Sequence, residues 1–102
     1  FEELMSLPDK VHAIFCANDI RAIHILEYCN KKKIRVPEEV AICGFDNIPE
    51  TEMTKPPLTT VHTEFRKIGK EAVKLAVKLY EGEIKEIQDI VIEPKLVERK
   101  TT

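Results

Sequence analysis

Two short apolar runs each end in side chains able to hold a small polar molecule. Ala13-Ile14-Phe15-Cys16-Ala17 runs into Asn18-Asp19, and Val40-Ala41-Ile42-Cys43 runs into Gly44-Phe45-Asp46-Asn47. Nearly continuous apolar runs of this length are the pattern of strands buried on both faces of a parallel sheet. If the strands are parallel neighbours, Asn18 and Asp46 converge at the carboxyl edge, where open α/β sheets bind ligands. A carboxylate beside an amide accepts and donates several hydrogen bonds to a hydroxylated or heterocyclic ligand. The same residues equally fit a structural role, with Asn18 capping a helix and Asp46 making a turn.

The elements that must position them read as follows. Residues 1 to 7 look like the tail of a helix, and Pro8-Asp9-Lys10 is a turn. The first strand is expected over Val11 to Cys16, with Asn18 or Asp19 capping a helix over residues 19 to 32. That helix carries Ala22, Ile25, Leu26 and Cys29 on one side, suited to a sheet, and Ile20, Ile23 and Glu27 with His24 on a second. The second side fits either a partner chain or packing within the same chain. Lys31-Lys32-Lys33 falls at the helix carboxyl end, where cations complement the dipole.

Val36-Pro37-Glu38-Glu39 turns into the second strand, Val40 to Cys43, completing a βαβ unit. Residues 47 to 57 show no periodicity, and Pro56-Pro57 enforces an extended entry to Leu58-Thr59-Thr60-Val61. Thr63 is the expected cap of a third helix over residues 64 to 81, ended by Gly82. Its apolar residues, Phe65 and Ile68 through Leu79 and Tyr80, form a broad face, while Lys67, Glu71, Lys74 and Lys78 form a solvated stripe in which Lys67 can pair with Glu71. Ile90-Val91-Ile92 and Leu96-Val97 read as short β segments split by Pro94. The pattern as a whole is an α/β domain with a parallel sheet.

Composition narrows the function. The chain has 102 residues, 43% hydrophobic and 33% charged, which suits one globular domain or a piece of one. Sixteen basic and eighteen acidic residues give a net charge of −2, unlike a basic nucleic-acid-binding module. No run approaches a membrane span, so no membrane partner is expected. Phe1-Glu2-Glu3-Leu4-Met5 has neither an initiating Met nor a secretion leader, and the chain reads as cut from a longer one. Cys16, Cys29 and Cys43 are an odd count without a C-x-x-C pair, as expected of buried thiols in a reducing cytosol.

The glycines at 44, 69 and 82 form no phosphate loop or dinucleotide fingerprint, and no nucleophile elbow is present. His12, His24 and His62 lack metal-ligand spacing, so neither a metal nor a cofactor is expected.

Five strings occur in order and in register: Ala17-Asn18-Asp19, Val36-Pro37-Glu38-Glu39-Val40, Gly44-Phe45-Asp46-Asn47-Ile48-Pro49, Pro56-Pro57-Leu58-Thr59-Thr60-Val61 and Arg99-Lys100-Thr101-Thr102. Together they resemble the carboxyl-terminal third of the LacI/GalR (lactose/galactose-repressor) family of bacterial transcription regulators. The resemblance implies an incomplete α/β, three-layer parallel-sheet lobe of the periplasmic-binding-protein-like fold. It implies that residues 1 to 62 and about 88 to 102 belong to the second lobe of an effector-binding domain. The helix within 63 to 82 would belong to the first lobe, leaving its broad apolar face without most of its natural cover.

By position, the resemblance implies that Asn18 hydrogen-bonds the effector, that Asp46 anchors it, and that Phe65 lines the pocket, although Phe65 also fits a core position. It implies homodimerisation through Ile23, His24, Glu27, Glu50, Met53 and Thr54. DNA would be bound only by an amino-terminal helix-turn-helix outside these residues. The implied function is allosteric sensing of a small effector, sugar or purine-like, in the cytoplasm, without catalysis. A periplasmic sugar-binding protein of a transporter is the alternative, disfavoured by the family-like ending and the unpaired cysteines. A small α/β enzyme using Asp46 lacks any nameable base, nucleophile or metal partner.

Overall fold

A computed structural model describes residues 1–86 and 89–102. The chain divides into two compact units, Phe1–His62 with Lys95–Thr102, and Thr63–Pro94.

The first unit is built on a four-stranded sheet. After a short helix α1 (Glu2–Met5) come strand β1 (Ala13–Phe15), helix α2 (Asp19–Lys32) and strand β2 (Ala41–Asp46). A 3-10 turn (Pro49–Glu52) leads to strand β3 (Thr59–His62), and strand β4 (Lys95–Val97) returns later in the chain. The spatial order is β1-β2-β3-β4, the first three parallel and β4 antiparallel to β3. The periodicity of α2 explains its docking: Ala22, Leu26 and Cys29 recur on one stripe and are buried with Cys16, Val40, Ile42 and Leu58. Full burial of Leu26 and Ile42 contributes about 1.5–3 kcal/mol each. The left-handed Lys33 (φ 59°) ends α2 after Lys31 and Lys32 complement its carboxyl terminus.

The tail after β4 is stitched into this unit by threonines. Thr101 Oγ1 donates to the Ile42 carbonyl (2.6 Å) and accepts from the Thr59 amide (2.9 Å), while the Ile42 amide donates to the Thr101 carbonyl (2.8 Å). Apolar runs do not mark the strands fully. β1 is shorter than Val11 to Cys16, and β3 is shifted to Thr59–His62 because its ladder with β2 begins at Thr59, while the Leu58 amide donates to the Thr51 carbonyl. β2 continues past Cys43 to Asp46, because its ladder with β3 pairs Cys43 with Thr59 and Asp46 with His62. Asp46 is thus the last strand residue, and the 3-10 turn occupies part of a stretch without a helical period.

The second unit contains helix α3 (Phe65–Tyr80). Glu64 takes the amino-terminal cap position, with no capping bond from its side chain, in place of the expected Thr63. Gly82, at φ 73°, follows the helix, and its amide donates to the Leu79 carbonyl. Glu71 takes Lys74, one turn further on, as its close partner (2.7 Å), where spacing suggests Lys67. No residue of α3 is buried: Phe65, Val73 and Tyr80 are exposed, and Ile68, Ala72 and Leu75 open on a groove of about 390 Å³ shared with Ile90 and Ile92. Ile90-Val91-Ile92 is not a strand, despite its β-favouring composition. The expected start of the returning tail, near Gln88, lies outside the described residues.

Candidate ligand-binding edge

The register decides where the two opening side chains meet. Phe15 pairs with Cys43, so Asn18 and Asp46, each three residues further on, come to the same carboxyl edge of adjacent parallel strands. Asn18 has extended backbone and its Oδ1 accepts from the Arg21 amide (3.0 Å), so it caps α2. Its carboxamide nitrogen remains a donor group at that edge. Phe65 lies in the second unit, at the start of α3, and is 57% exposed.

Asp46 adopts φ 117° and Asn47 φ 57°. Asparagine tolerates the left-handed region through local hydrogen bonding, whereas aspartate at φ 117° is strained by about 1–3 kcal/mol. Such outliers persist where surrounding structure over-determines them and cluster at ligand clamps. The Asp46 carboxyl is partly buried, and this desolvation pushes its pKa above the ordinary value; the nearby charge of Asp19 adds in the same direction.

Asp19 is the residue that sequence reasoning undervalued. It is fully buried, with Oδ1 accepting from the Thr60 hydroxyl (2.5 Å) and Oδ2 from the Ile48 amide (2.9 Å). Its carboxylate occupies the space above Gly44, where an added Cβ would lie 2.1 Å from Oδ1. The glycine that interrupts the apolar run is therefore the seat of a carboxylate that bolts α2 to the loop after β2. A small residue inside a strand pattern was the available signal.

Arg99 is the other omission. Its guanidinium holds Asn47, Thr51, Glu52 and the Leu58 carbonyl, tying the tail to the same loop. No sequence period connects residue 99 with residue 47.

A second feature of this unit is a groove of about 360 Å³ between α2 and the 3-10 turn. Ile23, Glu27, Glu50, Met53 and Thr54 line it, and Met53 is 70% exposed. Asn30 Nδ2 donates to the Lys55 carbonyl (2.9 Å) and Thr54 Oγ1 to the Thr51 and Pro56 carbonyls, so the walls are held in place. His24 is exposed on α2 and does not line the groove. Burial pushes up the pKa of all three thiols: Cys16 and Cys29 are buried and Cys43 partly so. Among the described residues, no cluster of three His, Cys, Asp or Glu side chains could hold a metal, and no helix is long and apolar enough to cross a membrane.

Residues 1–102 match the family model of the periplasmic binding protein-like domain. The chain is 33% identical over 100 residues to the HTH-type transcriptional repressor PurR of Vibrio atlanticus (strain LGP32), and 35% identical over 100 residues to that of Aliivibrio salmonicida (strain LFI1238). These matches cover 98% of the chain and 30% of each repressor, so the chain spans under a third of their length. Among solved structures, the transcriptional regulator CelR–cellobiose complex superposes with a TM-score of 0.91 at 32% identity, over 99% of this chain and 31% of that one. A LacI family transcriptional regulator from Arthrobacter sp. FB24 in complex with lactose gives 0.82 at 31% identity, over 99% and 38%.

Proposed function

This chain belongs to the periplasmic binding protein-like domain family, within the LacI-type transcription regulators, and we propose that it is the effector-sensing and dimerisation segment of such a regulator. The observation that carries the proposal is the Asp46-Asn47 bend. A strained, partly desolvated carboxylate lies at the same carboxyl edge of a parallel sheet as Asn18, where ligands of open α/β folds bind. Asp46 accepts ligand hydroxyl or ring N–H donors, and Asn18 adds a donor from its carboxamide. Phe65, which opens α3, is a further effector contact that the family resemblance assigns in the intact regulator, and the division of the chain after His62 and before Lys95 supports assigning α3 to a separate lobe.

The effector is a small metabolite, a sugar or a purine-like base. The cellobiose and lactose bound by two structural relatives support a sugar. Two copies associate through the groove at Ile23, Glu27, Glu50, Met53 and Thr54, together with His24, exposed on α2. Operator DNA is bound by an amino-terminal helix-turn-helix outside these residues, in a cytoplasmic regulator without catalytic activity. The effector shifts the population of DNA-competent dimers by the difference in its affinity for the two states.

Calorimetric titration of the full-length protein with cellobiose, lactose, adenine and guanine tests the proposal. One of them should bind, and Asp46→Ala should abolish the binding. Unchanged affinity in Asp46→Ala would remove Asp46 from the site.

A further inference from the structure

Arg99 makes more bonds than a tail needs to be anchored. Nη1 donates to Thr51 Oγ1 (3.1 Å) and the Leu58 carbonyl (2.7 Å), and Nη2 to Asn47 Oδ1 (2.9 Å) and Glu52 Oε1 (3.2 Å). The side chain is 12% exposed, whereas Glu52 is 73% exposed, so screening leaves the ion pair a minor part of this arrangement. The acceptors that matter are neutral oxygens on three separate segments. Only the planar, five-donor fork of arginine can serve them together.

Asn47 occupies the other end of the link. Its amide donates to Thr60 Oγ1 (3.3 Å), and its Nδ2 lies 3.2 Å from His62 Nδ1. With both ends of its carboxamide engaged, Asn47 cannot turn without moving Arg99. Its backbone directly follows the strained Asp46, so any relaxation of φ at Asp46 rotates the peptide that carries Asn47. Thr51 is fully buried, and its hydroxyl donates to the Ile48 carbonyl (2.7 Å) while accepting from Arg99.

We infer that Arg99 is a positioning residue that carries a change at Asp46, through the Asn47 carboxamide, to Thr51 and the 3-10 turn bearing the Glu50–Thr54 surface. Its regulatory meaning rests on the proposed role of Asp46 as a ligand contact. The link itself is a property of the folded chain and can be read without a ligand.

The test uses amide chemical shifts of the isotopically labelled chain. Asp46→Asn is introduced as a local perturbation into the parent and into Arg99→Met, Asn47→Gly and Glu52→Gln backgrounds. Asn47→Gly keeps the positive φ accessible while removing the carboxamide, so it guards against a folding failure of Arg99→Met. In the parent, Asp46→Asn should shift the amides of Thr51 to Thr54 as well as those of Phe45 to Ile48. In Arg99→Met and Asn47→Gly, the distal shifts should shrink by about threefold while the proximal ones persist, since only the backbone and the Ile48–Thr51 hydrogen bonds then connect the two ends.

Glu52→Gln should leave both sets unchanged. Distal shifts of full size in Arg99→Met or Asn47→Gly, their absence in the parent, or equal loss in Glu52→Gln would overturn the inference. Ligand titration of Asp46→Ala judges the ligand role separately, and either result can stand without the other.

Discussion

Replacing Gly44 with alanine should unfold the carboxyl edge from within. The new Cβ would sit 2.1 Å from Asp19 Oδ1 and 3.3 Å from Asp19 Cα, so the carboxylate cannot stay where it is. Asp19 is fully buried and accepts from Thr60 and Ile48, and hydrogen bonds to a charged group contribute about 1.5–3 kcal/mol each. Losing one of them and overpacking the site by about 1–3 kcal/mol gives a total near 4 kcal/mol. That is a large share of the roughly 5–15 kcal/mol that holds a domain folded. In urea, with an m-value of about 2 kcal/mol/M, the midpoint followed by circular dichroism should fall by about 2 M. The decisive control is the double mutant. In an Asp19→Ala background the carboxylate is gone, and Gly44→Ala should cost under about 1 kcal/mol, a strong departure from additivity. Additive costs, or a single-mutant loss below about 1 kcal/mol, would show that the carboxylate does not dictate glycine here.

Asp46→Asn should stabilise the chain at neutral pH. The native carboxyl holds its proton more tightly than the unfolded one, so native stability is lost as pH rises from the ordinary value of 3.8 through the raised one; the variant should lack that slope in urea titrations across the window. Ile23→Glu should weaken self-association at least about tenfold in sedimentation equilibrium, by placing an unpaired charge in the groove. Gly82→Ala, at φ 73°, should cost about 1 kcal/mol in thermal melts, whereas Gly69→Ala, in open space within α3, should gain about 0.5–1 kcal/mol. The three cysteines should react with a thiol reagent at neutral pH about tenfold more slowly in the native chain than in urea, with Cys43 the fastest.

Local pattern carried much of the first unit. The apolar runs before Asn18 and Asp46 mark neighbouring parallel strands, the stripe Ala22, Leu26 and Cys29 marks the docking face of α2, and Asn18 is legible as a cap from its type and place. The five strings in register carry the resemblance to the family by themselves. Less was legible where a residue's fate depends on something far along the chain. The buried threonines of β3 do not read as a strand core, because their hydroxyls are satisfied by Asp19 and by the tail. Ile90-Val91-Ile92 has strand composition yet forms none, because propensity describes only a residue's fit to a pleated surface and does not itself supply a paired strand.

By itself, then, the sequence determined the α/β class, the order of the elements and the two polar residue types brought to the sheet edge, since these follow from periodicities of a few residues. Tertiary structure alone decided that Asp19 fills the gap over Gly44 and that Asp46 takes a strained backbone. It also decided that Arg99 grips Asn47 across 52 residues of chain. Such contacts arise only when strands and tail are laid side by side, and each hydrogen bond there is set by position in space, which no local spacing encodes.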